Sequence, residues 1–282
     1  MPQRKSEISP ATLARFVLVA ALLCVGLSAA SPAAVVSAAE VELTATVQAA
    51  FDKTVDKADS VTAAKLKGLY ADLGALLRED QELEAKIKAL HYRNEEAILA
   101  LRKQIRDIDA DKLGKLETQV RQAKNRYQPL FDTYAELNKK IAMAKPLKNK
   151  NLNALLRAQA DAMKLPVQYA REDIRVKNAA LQAAKKATSA TIKSARDSLA
   201  ATEPLKVQVK SQRSAAALPR ASLSPVWKNF KLATKNSETK GTLDALGTLV
   251  VLARQIAEQQ RKIYALEVKI GETIAQTRTR YV

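Results

Sequence analysis

The sequence predicts an all-α protein of elongated antiparallel helical hairpins, a coiled-coil bundle kinked at its prolines. Only 7 of its 282 residues are glycine, and the chain is 47% hydrophobic but just 4% aromatic, so its apolar content is mostly Ala, Leu, Val and Ile. Chains of that composition form long helices rather than sheets. Apolar residues also recur in alternating steps of three and four, the mark of a narrow helical stripe packed on another helix.

The first 39 residues stand apart from this pattern. A cationic start (Arg4, Lys5, Arg15) leads into the apolar run FVLVAALLCVGL, and the small residues SAASPAAVVSAAE follow. That order predicts a cleaved secretory signal peptide over 1–39 and a secreted or cell-envelope location. Cleavage fits after Ala30 or after Ala39, and the second is favoured because Glu40 then opens the mature chain. An uncleaved N-terminal anchor is the alternative reading. Spans need about 20 apolar residues, and Ser28, Ser31 and Pro32 interrupt this one. Leu23 is too bulky a neighbour for Cys24 to suit lipidation. Cleavage removes Cys24, the single cysteine. The mature chain then has no disulfide, thiolate nucleophile or Cys-ligated zinc.

A long helix follows over 61–108. Its seam reads Leu66, Leu69, Leu73, Leu76, then Leu83, Ile87, Leu90, with Asp80 on the seam, and resumes at Ile98, Leu101, Ile105 and Ile108. The extra four residues after Leu90 are a stutter, which relaxes a left-handed supercoil. DIDADKLG at 107–114 predicts a helix break, with Asp109 or Asp111 capping the next helix. Leu113, Leu116, Val120, Ala123, Tyr127, Leu130, Tyr134, Leu137, Ile141 and Ala144 then form the most regular seam in the chain. Pro146 and the Asn-Lys-Asn run predict a turn at 145–151 between antiparallel helices. Leu152, Leu155 and Leu156 restart a stripe, continued by Met163, Val167, Ala170, Ile174, Leu181, Ala184, Ile192, Ala195 and Leu199. Pro129 and Pro166 are expected to kink these helices.

The division expected is therefore a long helical hairpin region over 40–203, a basic, proline-containing exposed linker over 204–224, and a C-terminal helical hairpin over 225–282. Ser224-Pro225 reads as a helix start, with Trp227 packing the terminal hairpin. The last helix carries Leu249, Leu252, Ile256, Ile263, Leu266 and Ile270. FDKTVDKADS at 51–60 and FKLATKNSET at 230–239 align at an offset of 179, so the two ends of the chain read as candidate related helical hairpins.

From residue 40 on there are 44 Lys and Arg against 28 Asp and Glu, unevenly placed. Residues 40–100 have 8 bases and 12 acids, residues 101–240 have 30 and 12, and residues 241–282 have 6 and 4. Such a cationic middle attracts polyanions. The candidate contacts are Lys139, Lys140, Lys145, Lys148, Lys150 and Arg157 around the turn, with Lys185, Lys186 and Lys193 along the following helix. Lysine outweighs arginine there and stacking aromatics are scarce, which argues against specific nucleic-acid recognition.

No catalytic constellation, cofactor motif or metal site is expected. His91, the single histidine, lies in KALHYRNEE and reads as a half-exposed helix residue with no partner signalled. Asp107, Asp109 and Asp111 lack the glycine and terminal glutamate of a calcium loop. The acids in REDQELEAK (78–86) read as a solvated helix surface. The function expected is that of an exported, non-enzymatic scaffold or adaptor of the cell envelope, which meets an anionic envelope polymer or acidic surface through its cationic middle and has scope for self-association. A periplasmic-type holding chaperone is the alternative, ahead of an α-helical pore-forming toxin. No transmembrane span is expected after cleavage.

Overall fold

The structure, a computed structural model, describes residues 41–282; the expected signal peptide lies outside them. The described residues are 92% helical and contain no strand. Six helices follow in order: α1 (Ala45–Asp56), α2 (Ser60–Arg106), α3 (Ala110–Ala144), α4 (Lys150–Ala200), α5 (Thr202–Lys235) and α6 (Thr239–Tyr281).

Three long helices, α2, α5 and α6, form the bundle, and α1 closes one end of it. That end is cored by Phe51, Leu66, Leu73, Leu223, Trp227, Phe230, Leu246, Leu249 and Ile256. Phe230 stacks on Trp227 with ring centroids 5.1 Å apart, and Phe51 stacks on Tyr70 at 4.3 Å. The other end is cored by Ile87, Ile98, Leu101 and Ile105 of α2 with Ile263, Ile270 and Ile274 of α6, and here Ala195 and Leu199 of α4 join. The rest of α4 pairs with α3, which packs chiefly on α4. The pair forms an arm, and at roughly 1.5 Å per helical residue α3 alone spans about 50 Å.

The predicted seams face inward. All ten seam residues of α3 and all nine from Met163 to Leu199 of α4 are buried or half-buried. The position that the stutter skips on α2 is filled by Asn94, which is buried. Asp80, on the same seam, accepts from Arg220 at 2.7 Å and from Gln260 at 3.0 Å.

The pairs α3–α4 and α5–α6 are antiparallel, α5 also runs antiparallel to α2, and α2 and α6 run parallel. Their partners rise together along both helices, from Asp72 with Arg254 to Glu79 with Arg261 to His91 with Glu267. The helical hairpins α1–α2 and α5–α6 therefore lie side by side. Their second helices start at Ser60 and Thr239, the same offset at which the sequence aligns with itself. Thr54 donates to the Thr234 carbonyl at 3.2 Å, joining the two turn regions.

Residues 204–224 are a correction. They are not an exposed linker, and Ser224-Pro225 does not start a helix, because α5 runs unbroken from Thr202 to Lys235 with Pro219 and Pro225 inside it. Thr202, Val209, Ala216, Leu223 and Phe230 recur every seven residues and are all buried. Pro204 falls in the first turn, where a missing N–H costs nothing. At the two inner prolines, tertiary burial outweighs the lost backbone bonds. No separate C-terminal hairpin begins at 225, and the long hairpin expected over 40–203 is divided between α2, which belongs to the bundle, and the α3–α4 arm.

The acids at 79–84 are likewise not a simple solvated face. Glu79 accepts two bonds from Arg261, both at 2.6 Å, and Glu84 lies 3.9 Å from Arg220. Glu95 meets Lys206 at 2.7 Å. Hydrogen bonds from Arg261 and from Lys206 hold the Glu79 and Glu95 carboxyls below their ordinary range. A carboxyl with a depressed folded-state pKa adds stability above its unfolded value, about 4.3 for Glu, and that stability is lost as pH falls through the folded value. Urea midpoints should therefore hold from pH 7 to about 5 and drop below about 4.3. Glu79→Gln should start lower at pH 7 and lose less on acidification; an identical pH profile for variant and wild type would remove Glu79 from this account.

Candidate functional site

The far end of the arm is where the predicted cationic residues gather. Helix α3 stops at Ala144, and Pro146 cannot continue its backbone ladder. The amide of Leu147 donates to the Ala144 carbonyl at 3.2 Å. Lys148 then takes a left-handed conformation, φ 52°, which reverses the chain. The side chain of Asn149 caps α4 by accepting from the Leu152 amide at 3.1 Å. Asn153 closes the turn across the pair, donating to the Ala144 carbonyl at 3.1 Å. The predicted turn at 145–151 is present as a four-residue turn with its cap.

Lys139, Lys140, Lys145, Lys148, Lys150 and Arg157 are all exposed around this tip. None makes an ion pair among the described residues. Their neighbourhood explains this, since no Asp or Glu occurs from Asn138 through Ala160. The other three candidates lie elsewhere. Lys185, Lys186 and Lys193 sit near the arm's base, roughly 50 Å from the tip at about 1.5 Å per residue along α4. Lys185 is already engaged, 2.6 Å from Glu117 of α3, while Lys186 and Lys193 are exposed. The nine residues are thus one six-residue cluster and a separate basal group.

The stripe expected from Leu152, Leu155 and Leu156 needs correcting. Leu156 is half-buried with Asn153, while Leu152 and Leu155 are 37% and 58% exposed. Met143 and Leu147 are exposed as well, at 64% and 69%. The tip therefore presents large apolar side chains among its lysines. Composition alone could not reveal this, because the helical phase of each leucine depends on where the turn restarts α4.

At the arm's base, Asp109 has φ 57° and makes no capping hydrogen bond. Its carboxylate instead accepts from Thr188 of α4 at 2.7 Å. The capping role expected of Asp109 is replaced by a tie between the two arm helices.

A second polar cluster lies inside the bundle. Glu267 is 1% exposed. Nδ1 of His91 lies 3.0 Å from its Oε1, so the tautomer protonated at Nδ1 donates to the carboxylate. Asn94 donates both to Oε2 at 2.9 Å and to the Glu267 carbonyl at 2.8 Å. His91 thus has the partner that its surroundings in sequence did not signal. An open groove of about 470 Å³ borders the cluster, lined by Arg93, Gly271, Glu272 and Arg278 among others. The trio presents no nucleophile to that groove and reads as a structural layer joining α2 to α6. Among the described residues, no group of three or more His, Cys, Asp or Glu side chains is placed to hold a metal ion. None of the described helices is long and apolar enough to cross a membrane. Comparison of the chain with protein-family models, with curated proteins and with solved structures finds no match.

Proposed function

We propose that this is an exported, non-enzymatic helical protein of the cell envelope, a scaffold or adaptor whose arm engages an anionic surface while the bundle is held at a distance from it. What supports the reading is where charge is compensated and where it is not. Bundle acids such as Asp72, Glu79, Asp80 and Glu95 are paired with bases of α5 and α6. Residues 110–200, by contrast, carry 19 Lys and Arg against 8 Asp and Glu, and the tip has no acid near it. Lysine suits this role, because a hydrated point charge on a flexible stem attracts diffuse anionic charge without demanding one geometry.

Such attraction is screened by salt, with a Debye length of about 10 Å at 0.1 M. Sedimentation of the chain from residue 40 onward with polyphosphate should show binding at low salt that weakens steeply as salt rises. Lys145→Gln/Lys148→Gln/Lys150→Gln should weaken it further. Undiminished binding at high salt, or none at low salt, would sink the proposal. A holding chaperone is the second reading, favoured by the apolar side chains exposed at the tip. It predicts that the protein keeps an unfolded client from aggregating at high salt as well as low.

A further inference from the structure

We infer that the arm tip is an insertion device for an acidic lipid bilayer surface: Leu147, with Met143, Leu152 and Leu155, enters the interface while the surrounding lysines meet the headgroups. The inference rests on the proposal that the tip engages an anionic surface, and it names that surface.

A binder of soluble polyanions needs only charge at its tip. Apolar side chains there are exposed to water at a cost, and polar residues would serve a polymer equally well. Yet four of the fifteen exposed large hydrophobic side chains of the described residues fall between Met143 and Leu155. Six unpaired cations flank them, with no acid from Asn138 through Ala160. Exposed apolar groups set among cations match the layering of an acidic membrane interface, which places negative headgroups outside acyl chains. Lysine stems can lie along the apolar boundary while their ammonium groups stay at headgroup level.

A second copy of this chain fits the tip less well. Two tips repel each other through their cations. Of the seven acids of α2, Asp72, Glu79, Asp80 and Glu95 are already bound to Arg254, Arg261, Arg220 and Lys206, Glu84 lies beside Arg220 and Glu82 beside Lys86, which leaves Glu96 alone without an ion pair among the described residues. The turn is also built to present its side chains firmly, since Asn149 caps α4 and Asn153 ties the turn to α3.

The test uses the chain from residue 40 onward, which holds all six helices and both core clusters and contains no cysteine. Leu147→Cys is labelled with an environment-sensitive fluorophore and titrated with phosphatidylcholine vesicles with or without phosphatidylglycerol. With the acidic lipid, emission should shift to the blue and brighten, and a fraction of the signal should survive high salt. Without it, little should change. Unlabelled protein is compared in vesicle flotation. Lys145→Gln/Lys148→Gln/Lys150→Gln should weaken acidic-vesicle binding roughly 100-fold, since each cation near such a surface is worth about a factor of five. Leu147→Ser/Leu152→Ser/Leu155→Ser should weaken vesicle binding at least about tenfold while leaving polyphosphate binding unchanged. All three leucines are exposed, so circular dichroism should report an unaltered fold for this variant.

Polyphosphate binding without vesicle binding, or vesicle binding indifferent to the three leucines, would overturn the inference and leave the proposed function standing. Failure to bind either probe would overturn both. Equal binding to vesicles with and without acidic lipid would also overturn the inference. So would tip-dependent holding of an unfolded client in place of vesicle binding, which would make the apolar tip a client contact.

Discussion

Phe230→Ala should lower the stability of the folded chain by about 4 kcal/mol, in the range for deleting a fully buried aromatic ring. Phe230 is 0% exposed, and its ring is central to a group of four. Trp227 stacks on it at 5.1 Å, and Phe51 and Tyr70 lie 6.3 and 6.4 Å away. The ring joins α1, α2 and α5 in one contact set, so no single helix can shift to fill the space. In a chain of this size, a loss of that magnitude corresponds to a fall in Tm of roughly 10 °C. Trp227 is the only tryptophan and is 4% exposed, so its fluorescence reports this event directly. Urea unfolding followed by tryptophan emission and by far-ultraviolet circular dichroism checks the prediction. The arm is cored separately, so polyphosphate binding by the variant, measured below its transition, should match wild type. A loss smaller than about 1.5 kcal/mol would mean that the aromatic group repacks, contrary to the close packing expected of such a core.

Most of the helical architecture was legible because narrow seams repeat. A ten-residue run of alternating steps, as in α3, arises from one physical demand, that one face stay dry. The misreading at 204–224 shows what local signals lack. Pro204, Pro219 and an absence of acids argue for a loop and the Ser224-Pro225 pair for a helix start after it, and each is a statement about a few residues. Val209, Ala216, Leu223 and Phe230 make the opposite statement across the whole segment. Burial against α2 and α6 prevails, and nothing within the segment itself announces those partners. The parallel pairing of α2 with α6 was hidden for a similar reason. It is a long-range arrangement, hinted at only by the similarity of 51–60 to 230–239.

At the tip, charge was legible and exposure was not. Lysine positions depend little on helical phase, because long cationic side chains reach solvent from most of a thin arm. Leucine positions depend on phase entirely, and the turn resets it. The polar layer in the bundle left a different trace. Ile256, Gln260, Ile263, Glu267, Ile270, Ile274 and Thr277 keep the alternating step, and Gln260, Glu267 and Thr277 are buried with the rest. Counting the period without regard to chemistry would have placed Glu267 on the seam. Asn94 occupies the position at which the seam of α2 pauses, and its partner was recoverable only from the fold.

Asn94→Leu should cost about 3 kcal/mol, and pairing it with Glu267→Met should recover most of that loss. Asparagine and leucine are close in shape, so the single change alters polarity more than packing. The space beside it is open to a side chain because residue 271 is glycine: a Cβ there would lie 3.1 Å from the Asn94 Oδ1. After the change, the buried Glu267 carboxylate keeps only His91 as a side-chain partner. Stripping partners from a buried charge costs about 3 to 5 kcal/mol, whereas replacing the whole group with apolar residues of similar volume is often neutral or stabilising. The double variant removes the charge with its partner, and His91, whose side chain is 39% exposed, can turn to water. A double-mutant cycle measured by urea unfolding should therefore give a coupling of about 2 kcal/mol. Additive losses would show that Asn94 and Glu267 act independently and would remove the buried-charge account. The same layer also answers a question of register. Along α2 and α6, isoleucine and leucine layers resemble one another, and inside the bundle it is Asp80 with Gln260 and Asn94 with Glu267 that distinguish one alignment from the next, with Asp72–Arg254 and Glu79–Arg261 doing so at the surface. A buried polar pair can fix register at some expense of stability. The double variant should thus be nearly as stable as wild type yet unfold over a broader range of urea, with a smaller m-value, because more than one alignment of the two parallel helices becomes populated.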